Sequence, residues 1–325
     1  MLPAFMVPYI FVPDVRIPIP GHPFGLQALP LHPFGLLVAT GVLTGTSITA
    51  RRARKLGYDV NQLNSFVTWM LISAFLLSHV LDEVFYHWDE LVKDPLSLFM
   101  PWAGLSSFGG FTGAIVGIVL WKFFFMDDTR PRRRPAPVPI LPFADLVCSV
   151  LPIGWAFGRA GCATVHDHKG ARAAADTLLA VAYPLHPGDG SVTTFGFVRF
   201  ITGHDPRFDL GFLELLFTIV LATSFALTWR RRMPTGAYII ATALAYAPVR
   251  FAMDFLRVPE RESGDTRYAG LTPAQWACMA LFLFGVVMIP YARRIQRRGT
   301  DLAAPLRVPA GPSTDAGPPA EARGA

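Results

Sequence analysis

Charge is scarce in this chain. Asp, Glu, Lys and Arg make up 16% of its 325 residues, against 52% hydrophobic residues and a mean hydropathy of +0.39. A soluble domain keeps about a quarter of its residues charged, so the deficit excludes an ordinary soluble enzyme and makes lipid the solvent for most of the sequence. Cysteine is scarcer still. Cys148, Cys162 and Cys278 are odd in number and widely spaced, which excludes a disulfide framework and supplies no metal-ligand spacing; Cys148 and Cys278 read as apolar filler of membrane helices. The first thirty residues lack a basic start and an unbroken apolar core, and prolines at 3, 8, 13, 18, 20, 23, 30 and, just beyond, 33 break any helix, so no cleavable signal is expected there. No long repeat and no hydropathy symmetry between the halves is visible, which disfavours many transporter folds.

Seven apolar runs, each near the roughly 17–25 residues that cross a bilayer, are present at 34–50, 62–86, 104–126, 141–158, 209–229, 236–256 and 272–292. Aromatic residues gather near their ends (Phe85, Tyr86, Trp88, Trp102, Trp229, Tyr291), where amphipathic rings suit the headgroup layer. The net charge of +6 does not form a nucleic-acid-binding stripe, and no nucleic-acid partner is expected. Fifteen of the 29 basic residues sit in four short segments after the first, third, fifth and seventh runs: Arg51, Arg52, Arg54, Lys55; Arg130, Arg132, Arg133, Arg134; Arg230, Arg231, Arg232; and Arg293, Arg294, Arg297, Arg298. Cytoplasmic loops collect such residues. The expected fold is therefore an all-α integral membrane protein of seven transmembrane helices, with the N-terminus outside and the C-terminus cytoplasmic. The expected division is a proline-rich external segment 1–33, a membrane domain 34–292 that includes an external head at 159–208 between helices four and five, and a basic, then disordered, cytoplasmic tail 293–325.

Charged side chains inside spans cost about 2.5–3.5 kcal/mol on insertion scales, so each needs a partner or a purpose. Arg159, at the outer end of the fourth run, is flanked by Gly158 and Gly161, which let a ligand approach its guanidinium. It reads either as a fork for a lipid phosphate or as an interfacial arginine reaching water. Arg250, Asp254 and Arg257 share one helical face in the sixth run, where Asp254 can bridge both arginines and leave room for an anion, or can simply form an ion-pair ladder. Glu214, just inside the fifth run, needs an arginine or a proton. His166, Asp167 and His168 follow Arg159 and include candidate bases, although loop histidines are more often solvated. His79, Asp82 and Glu83 read as polar glue in preference to a metal site, and Gly109, Gly113 and Gly117 as a helix-packing stripe.

These residues resemble the bacterial prolipoprotein diacylglyceryl transferases, whose signature runs G-R-x-G-N-F-x-N-x-E. Here it reads Gly158-Arg159-Ala160-Gly161-Cys162-Ala163-Thr164-Val165-His166-Asp167. Further matches follow in family order: His32-Pro33-Phe34-Gly35; Asp94 to Phe99 with Trp102, Gly109 and Gly110; Glu214; Val249-Arg250-Phe251 with Asp254, Phe255 and Arg257; and Gly270 to Gln275. The resemblance implies transfer of diacylglyceryl from phosphatidylglycerol to the lipobox cysteine thiol of a preprolipoprotein, recognised through its signal peptide. It places the protein, as a monomer, in the bacterial cytoplasmic membrane with the active face outward, and implies no metal and no soluble cofactor. Arg159, Arg250, Asp167 and Glu214 are the implied catalytic residues. Ser106, Ser107, Gly109, Gly110, Gly158, Gly161, Asp254 and Arg257 are the implied contacts to substrate and membrane lipid, and His166 or His168 the possible base. The chain departs from the family pattern at Phe108, where histidine is usual, at Cys162 for asparagine, at Asp167 for glutamate and at Phe34 for tyrosine; of the H-P-x-Q-x-Y-E block only Glu214 remains. A diverged transferase, a non-catalytic lipid- or lipoprotein-binding relative, and a transferase with another acceptor all stay open on these residues.

Overall fold

The computed structural model describes residues 6–18, 20, 28–99, 104–127, 130–231, 233–258 and 267–308. The described residues are mostly helical and form two compact units, residues 1–49 with 141–300 and residues 50–140 with 301–325. Five helices are long and apolar enough to cross a membrane: α1 (Pro33–Lys55), α2 (Val60–Tyr86), α7 (Leu210–Thr228), α8 (Ala237–Met253, continued by a 3-10 turn) and α9 (Pro273–Arg297). A sixth arises if α5 (Leu141–Cys148) and α6 (Leu151–Val165), bent by 48°, are one broken span. The break has a local cause: the Ser149 hydroxyl bonds back to the Leu146 carbonyl at 2.6 Å, and Pro152 lacks the N–H that would carry the ladder across. The third run, 104–126, forms a shorter helix, α4 (Ser107–Phe123), of 17 residues.

Large side chains such as Leu227 (74% exposed) and Leu43 (68%) cover the helix surfaces, an arrangement that suits hydrocarbon and not water. Hydroxyls on those surfaces are satisfied internally: Thr40, Thr46 and Thr49 on α1, and Thr223, Ser224 and Thr228 on α7, bond to the carbonyl four residues earlier.

The first unit also contains a six-stranded sheet that the helical periodicity did not announce. Its strands are β1 (Val7–Phe11), β6 (Lys169–Arg172), β7 (Val181–Tyr183), β8 (Ser191–Phe195), β9 (Val198–Thr202) and β10 (Asp205–Asp209), in the order β6-β10-β7-β1-β9-β8. The β1 strand pairs parallel to β7 and antiparallel to β9, so the proline-rich start is built into the middle of the head segment's sheet. A second hairpin joins β2 (Val15–Pro18) to β3 (Ala28–Leu31). The expected head boundary at 159 moves, since α6 stays helical to Val165. Buried Asp145 on α5 accepts the Tyr238 and Ile239 amides at 2.8 and 3.0 Å, which caps α8 where Gly236 offers no side chain.

In the second unit, α2 and α4 meet along the glycine stripe. A Cβ added to Gly109, Gly113 or Gly117 would lie 2.4, 2.2 and 2.3 Å from the carbonyl oxygens of Leu77, Ser73 and Trp69, so backbone packs on backbone. His79, Asp82 and Glu83 act as the expected polar glue. The His79 ring reaches the carbonyls of Gly104 and Ser97, and the Ser97 hydroxyl donates to Glu83 at 2.8 Å. This fixes α3 (Trp88–Lys93) and the turn after it. A hairpin of β4 (Phe124–Asp127) and β5 (Arg130–Arg133) follows α4. Part of the expected disordered tail is folded: Leu306 is fully buried, and its carbonyl accepts the Asp59 amide at 2.9 Å. Residues 309–325, Trp102, Arg232 and the side chains of Ser107 and Phe108 lie outside the described residues.

Gly113→Leu should lower the melting temperature in detergent by several degrees, since overpacking costs about 1–3 kcal/mol or more and backbone cannot yield. Gly45→Ala on α1, where nothing lies within 4 Å of an added Cβ, should leave it unchanged; equal effects would show that the stripe does not set the α2–α4 approach.

Candidate active site

The site is built from the ends of α6, α7 and α8. Asp209 caps α7 by accepting the Phe212 amide at 2.9 Å, and Glu214, just past the first turn, is 1% exposed. Two residue pairs four apart, each on one helical face, converge on this carboxylate. From α6, the Trp155 indole N–H donates to Oε1 at 3.0 Å and Arg159 Nε lies 2.9 Å from it. From α8, the Tyr246 hydroxyl donates to Oε1 at 2.5 Å and Arg250 Nε lies 3.5 Å from Oε2. Arg159 also stacks over the Trp155 ring, its Cζ 5.0 Å from the centroid.

Arg250 turns a second donor to Asp254 Oδ1 at 2.8 Å, and Arg257 Nε reaches the same oxygen at 3.0 Å. The Thr272 hydroxyl donates to the other oxygen, Oδ2. Thr272 also forms a capping box with Gln275 at the start of α9, and Gln275 donates to the Phe251 carbonyl at 3.3 Å. Asp254 bridges Arg250 and Arg257 as expected, although α8 ends at Met253 and Arg257 comes from extended backbone after a 3-10 turn and not from the same helical face; Glu214 has found two arginines. Arg159 and Arg250 thus share the Glu214 carboxylate, and Arg250 and Arg257 share that of Asp254. Trp155 and Tyr246 were not singled out in the sequence, and Thr272 and Gln275 entered only within the Gly270–Gln275 match. The signal for the first two was there: each precedes an intramembrane arginine by four residues.

The glycines flanking Arg159 play different parts. Gly161 packs on Phe34, whose Cδ2 would lie 2.8 Å from an added Cβ, whereas Gly158 has nothing within 4 Å. Gly170 on β6 is pressed between the Leu256 and Phe208 carbonyls, each 2.7 Å from an added Cβ, and bridges to Arg257.

His166 caps α6 in the left-handed conformation, with φ of 53°. Its side chain is 5% exposed, so it is a buried clasp and not a solvated loop histidine. Its Nδ1 lies 2.5 Å from Asp209 Oδ2 and its Nε2 3.0 Å from the Ile10 carbonyl, so both ring nitrogens face acceptors and neither turns a lone pair outward. Tyr9 stacks on the ring at 3.8 Å, and the Tyr183 hydroxyl donates to Asp209 at 2.8 Å. Burial and the Asp209 charge raise the pKa of both tyrosines. Asp209 therefore ties the end of α6, the start of α7 and the sheet together. Asp209→Ala should cost about 2–3 kcal/mol, from a lost cap and buried groups left without their acceptor. Asp209→Asn, which keeps the cap, should recover more than half; thermal melts of the two variants that coincide with wild type would sink this role.

Asp167 is 41% and His168 27% exposed at the side chain, with Asp167 Oδ1 3.1 Å from His168 Nδ1. Burial works against the Asp167 charge, but the His168 and Cys162 hydrogen bonds and the Arg159 charge outweigh it and hold its pKa below the usual carboxylate value. Ser106, Gly109 and Gly110 belong to the second unit. There Ser106 caps α4 and receives the Ser78 hydroxyl at 2.7 Å, while Gly110 sits at ordinary contact distance from Ser78.

Three relatives carry the name phosphatidylglycerol–prolipoprotein diacylglyceryl transferase. That of Ectopseudomonas mendocina is 24% identical over 295 residues, covering 90% of this chain and 98% of that protein. That of Methylococcus capsulatus is 25% identical over 271 residues, with 82% and 93% covered. That of Azospirillum brasilense is 29% identical over 238 residues, with 71% and 78% covered. The model of the family described as prolipoprotein diacylglyceryl transferase matches residues 23–291, a stretch that takes in the three helix ends around Glu214, and the chain belongs to that family.

Proposed function

We propose that this protein transfers the diacylglyceryl group of phosphatidylglycerol to the lipobox cysteine thiol of a preprolipoprotein. In that reaction the thiol sulfur attacks the glyceryl carbon, a C–S bond forms, the carbon–oxygen bond to phosphate breaks, and glycerol phosphate leaves while the thiol proton is given up. Negative charge gathers on the phosphate as the bond breaks. One observation carries the reading: Glu214 holds Arg159 and Arg250, from two different helices, on one buried carboxylate. Guanidiniums fixed in advance stabilise a developing phosphate charge without reorganising during the step, and their planar forks suit two phosphate oxygens. Asp254 and Arg257 extend the same cluster, with Thr272 holding Asp254 from α9. Gly158 leaves room for the lipid beside Arg159. Asp167 and His168 are assigned the polar rim beside Arg159. Ser106, Ser107, Gly109 and Gly110 are assigned to lipid contact within their own unit. No cofactor is needed, and one chain suffices.

The same reading counts seven spans, taking α4 and the bent pair α5–α6 as one each. Arginine clusters close the last turns of α1 and α9, follow α7 and line β5 after α4, which supports an outward N-terminus. The sheet and the Arg159 end of α6 are then outside the bacterial cytoplasmic membrane, where a signal peptide's lipobox emerges.

Complementation tests the function. Cells depleted of their own transferase and supplied with this chain should recover the lipid-dependent mobility shift of a reporter prolipoprotein. A chain inserted in the membrane that produces no shift, yet binds phosphatidylglycerol, would overturn the enzyme in favour of a lipid-binding relative.

A further inference from the structure

We propose that Cys162, Asp167 and His168 form a binding site for a borderline-soft divalent cation of the zinc class. The cysteine spacing along the chain gave no ligand pattern; the site is made by the turn that ends α6. His166, in the left-handed conformation, reverses the chain so that residues 167 and 168 come back over the last helical turn. One sulfur, one carboxylate oxygen and one imidazole nitrogen then all lie within 4.8 Å of one another. An ion about 2.0–2.3 Å from each donor draws them slightly closer than that, within the reach of side-chain rotation.

The donor set suits such an ion. Thiolate, imidazole and carboxylate are the three ligand types that zinc takes, and a thiolate disfavours the hard cations. When the ion binds, the Cys162 thiol loses its proton to solvent and a metal–sulfur bond forms; thiolate and carboxylate together then balance two positive charges. Cys162 is 7% exposed while Asp167 and His168 are partly open, so the sulfur side is closed and a fourth position faces water. Arg159 Nη1 lies 3.7 Å from the Cys162 sulfur and supplies the outer hydrogen bond that steadies a metal-bound thiolate. Its own charge is offset by Glu214 at 2.9 Å. The site stands whether or not the chain is a transferase.

Cobalt(II) reports on it directly. The full chain, purified in detergent with a tag that contains no histidine and freed of metal by a chelator, is titrated with Co²⁺. A thiolate-to-cobalt absorption band saturating at one ion per chain is expected. Cys162→Ser should abolish the band, and the paired Cys148→Ser, Cys278→Ser variant should keep it. Asp167→Asn and His168→Gln should each weaken affinity by at least about tenfold, since losing a ligand costs no less than losing an outer-shell partner. A wild-type chain without the band, or a band that survives Cys162→Ser, overturns the site. Should Cys162→Ser fail to fold, the two partly exposed positions decide: Zn²⁺ should raise the melting temperature of the wild-type chain and not that of Asp167→Asn or His168→Gln. A rise that persists unchanged in both overturns the proposal.

Discussion

Glu214→Ala is expected to destabilise the protein by about 3–5 kcal/mol, the cost of breaking a buried ion pair from one side. Glu214 is 1% exposed and receives Trp155, Tyr246, Arg159 and Arg250. Without it, Arg159 and Arg250 lose the carboxylate they share, and two aromatic donors lose their acceptor in a region where water does not replace it. Glu214→Gln keeps an oxygen for Trp155 and Tyr246 and loses only the charge, so its loss should be about half as large. Melting curves in detergent separate the cases. A coupled effect is also expected: Glu214→Gln combined with Arg159→Gln should be less damaging than the sum of the single changes, since the second removes the charge that the first leaves unpaired. If Glu214→Ala melts with the wild-type chain, the carboxylate is not the keystone of this cluster.

Arg159→Ala and Arg250→Ala should each lower diacylglyceryl transfer by about 10²–10³, the usual consequence of removing one preorganised group from a developing charge. Both variants should fold, because Glu214 keeps one arginine and both aromatic donors in either case. The loss should fall on kcat more than on KM, since the phosphate gains charge as the bond breaks and the guanidinium is worth more to the transition state than to the bound lipid. Lysine at either position restores the charge without the planar fork, so partial recovery is expected. Phosphatidylglycerol should raise the melting temperature of the wild-type chain and not that of either alanine variant. Turnover within about threefold of wild type in both variants would remove the arginines from the chemistry.

The membrane character and most of the helices were legible along the chain because hydropathy is a local property: a run of apolar residues declares a span without knowing its neighbours. The Arg250–Asp254 pair was legible for the same reason, its contact being set by helical periodicity, whereas Arg257 reaches Asp254 from extended backbone just past a 3-10 turn. The sheet was not. Its strands are three to five residues long, contain Pro8 and Pro206, and pair β1 with β7 across some 170 residues of chain, so no local pattern marks them. The bend between α5 and α6 was likewise hidden in a continuous apolar run, although Pro152 marked the place.

The site divides along the same line. By itself the sequence determined that Arg159, Glu214 and Arg250 were anomalous, because a charge in an apolar run is costly wherever it ends up. Only the tertiary structure decided that they answer one another, for three helix ends must converge before Trp155, Arg159, Tyr246 and Arg250 find a single carboxylate. Only it decided, too, that His166 is spent on Asp209 and the Ile10 carbonyl, while its neighbours fold back toward Cys162. Three adjacent polar residues look equivalent in sequence. The left-handed turn at His166 separates them, pointing one ring into the core and leaving two side chains at the surface.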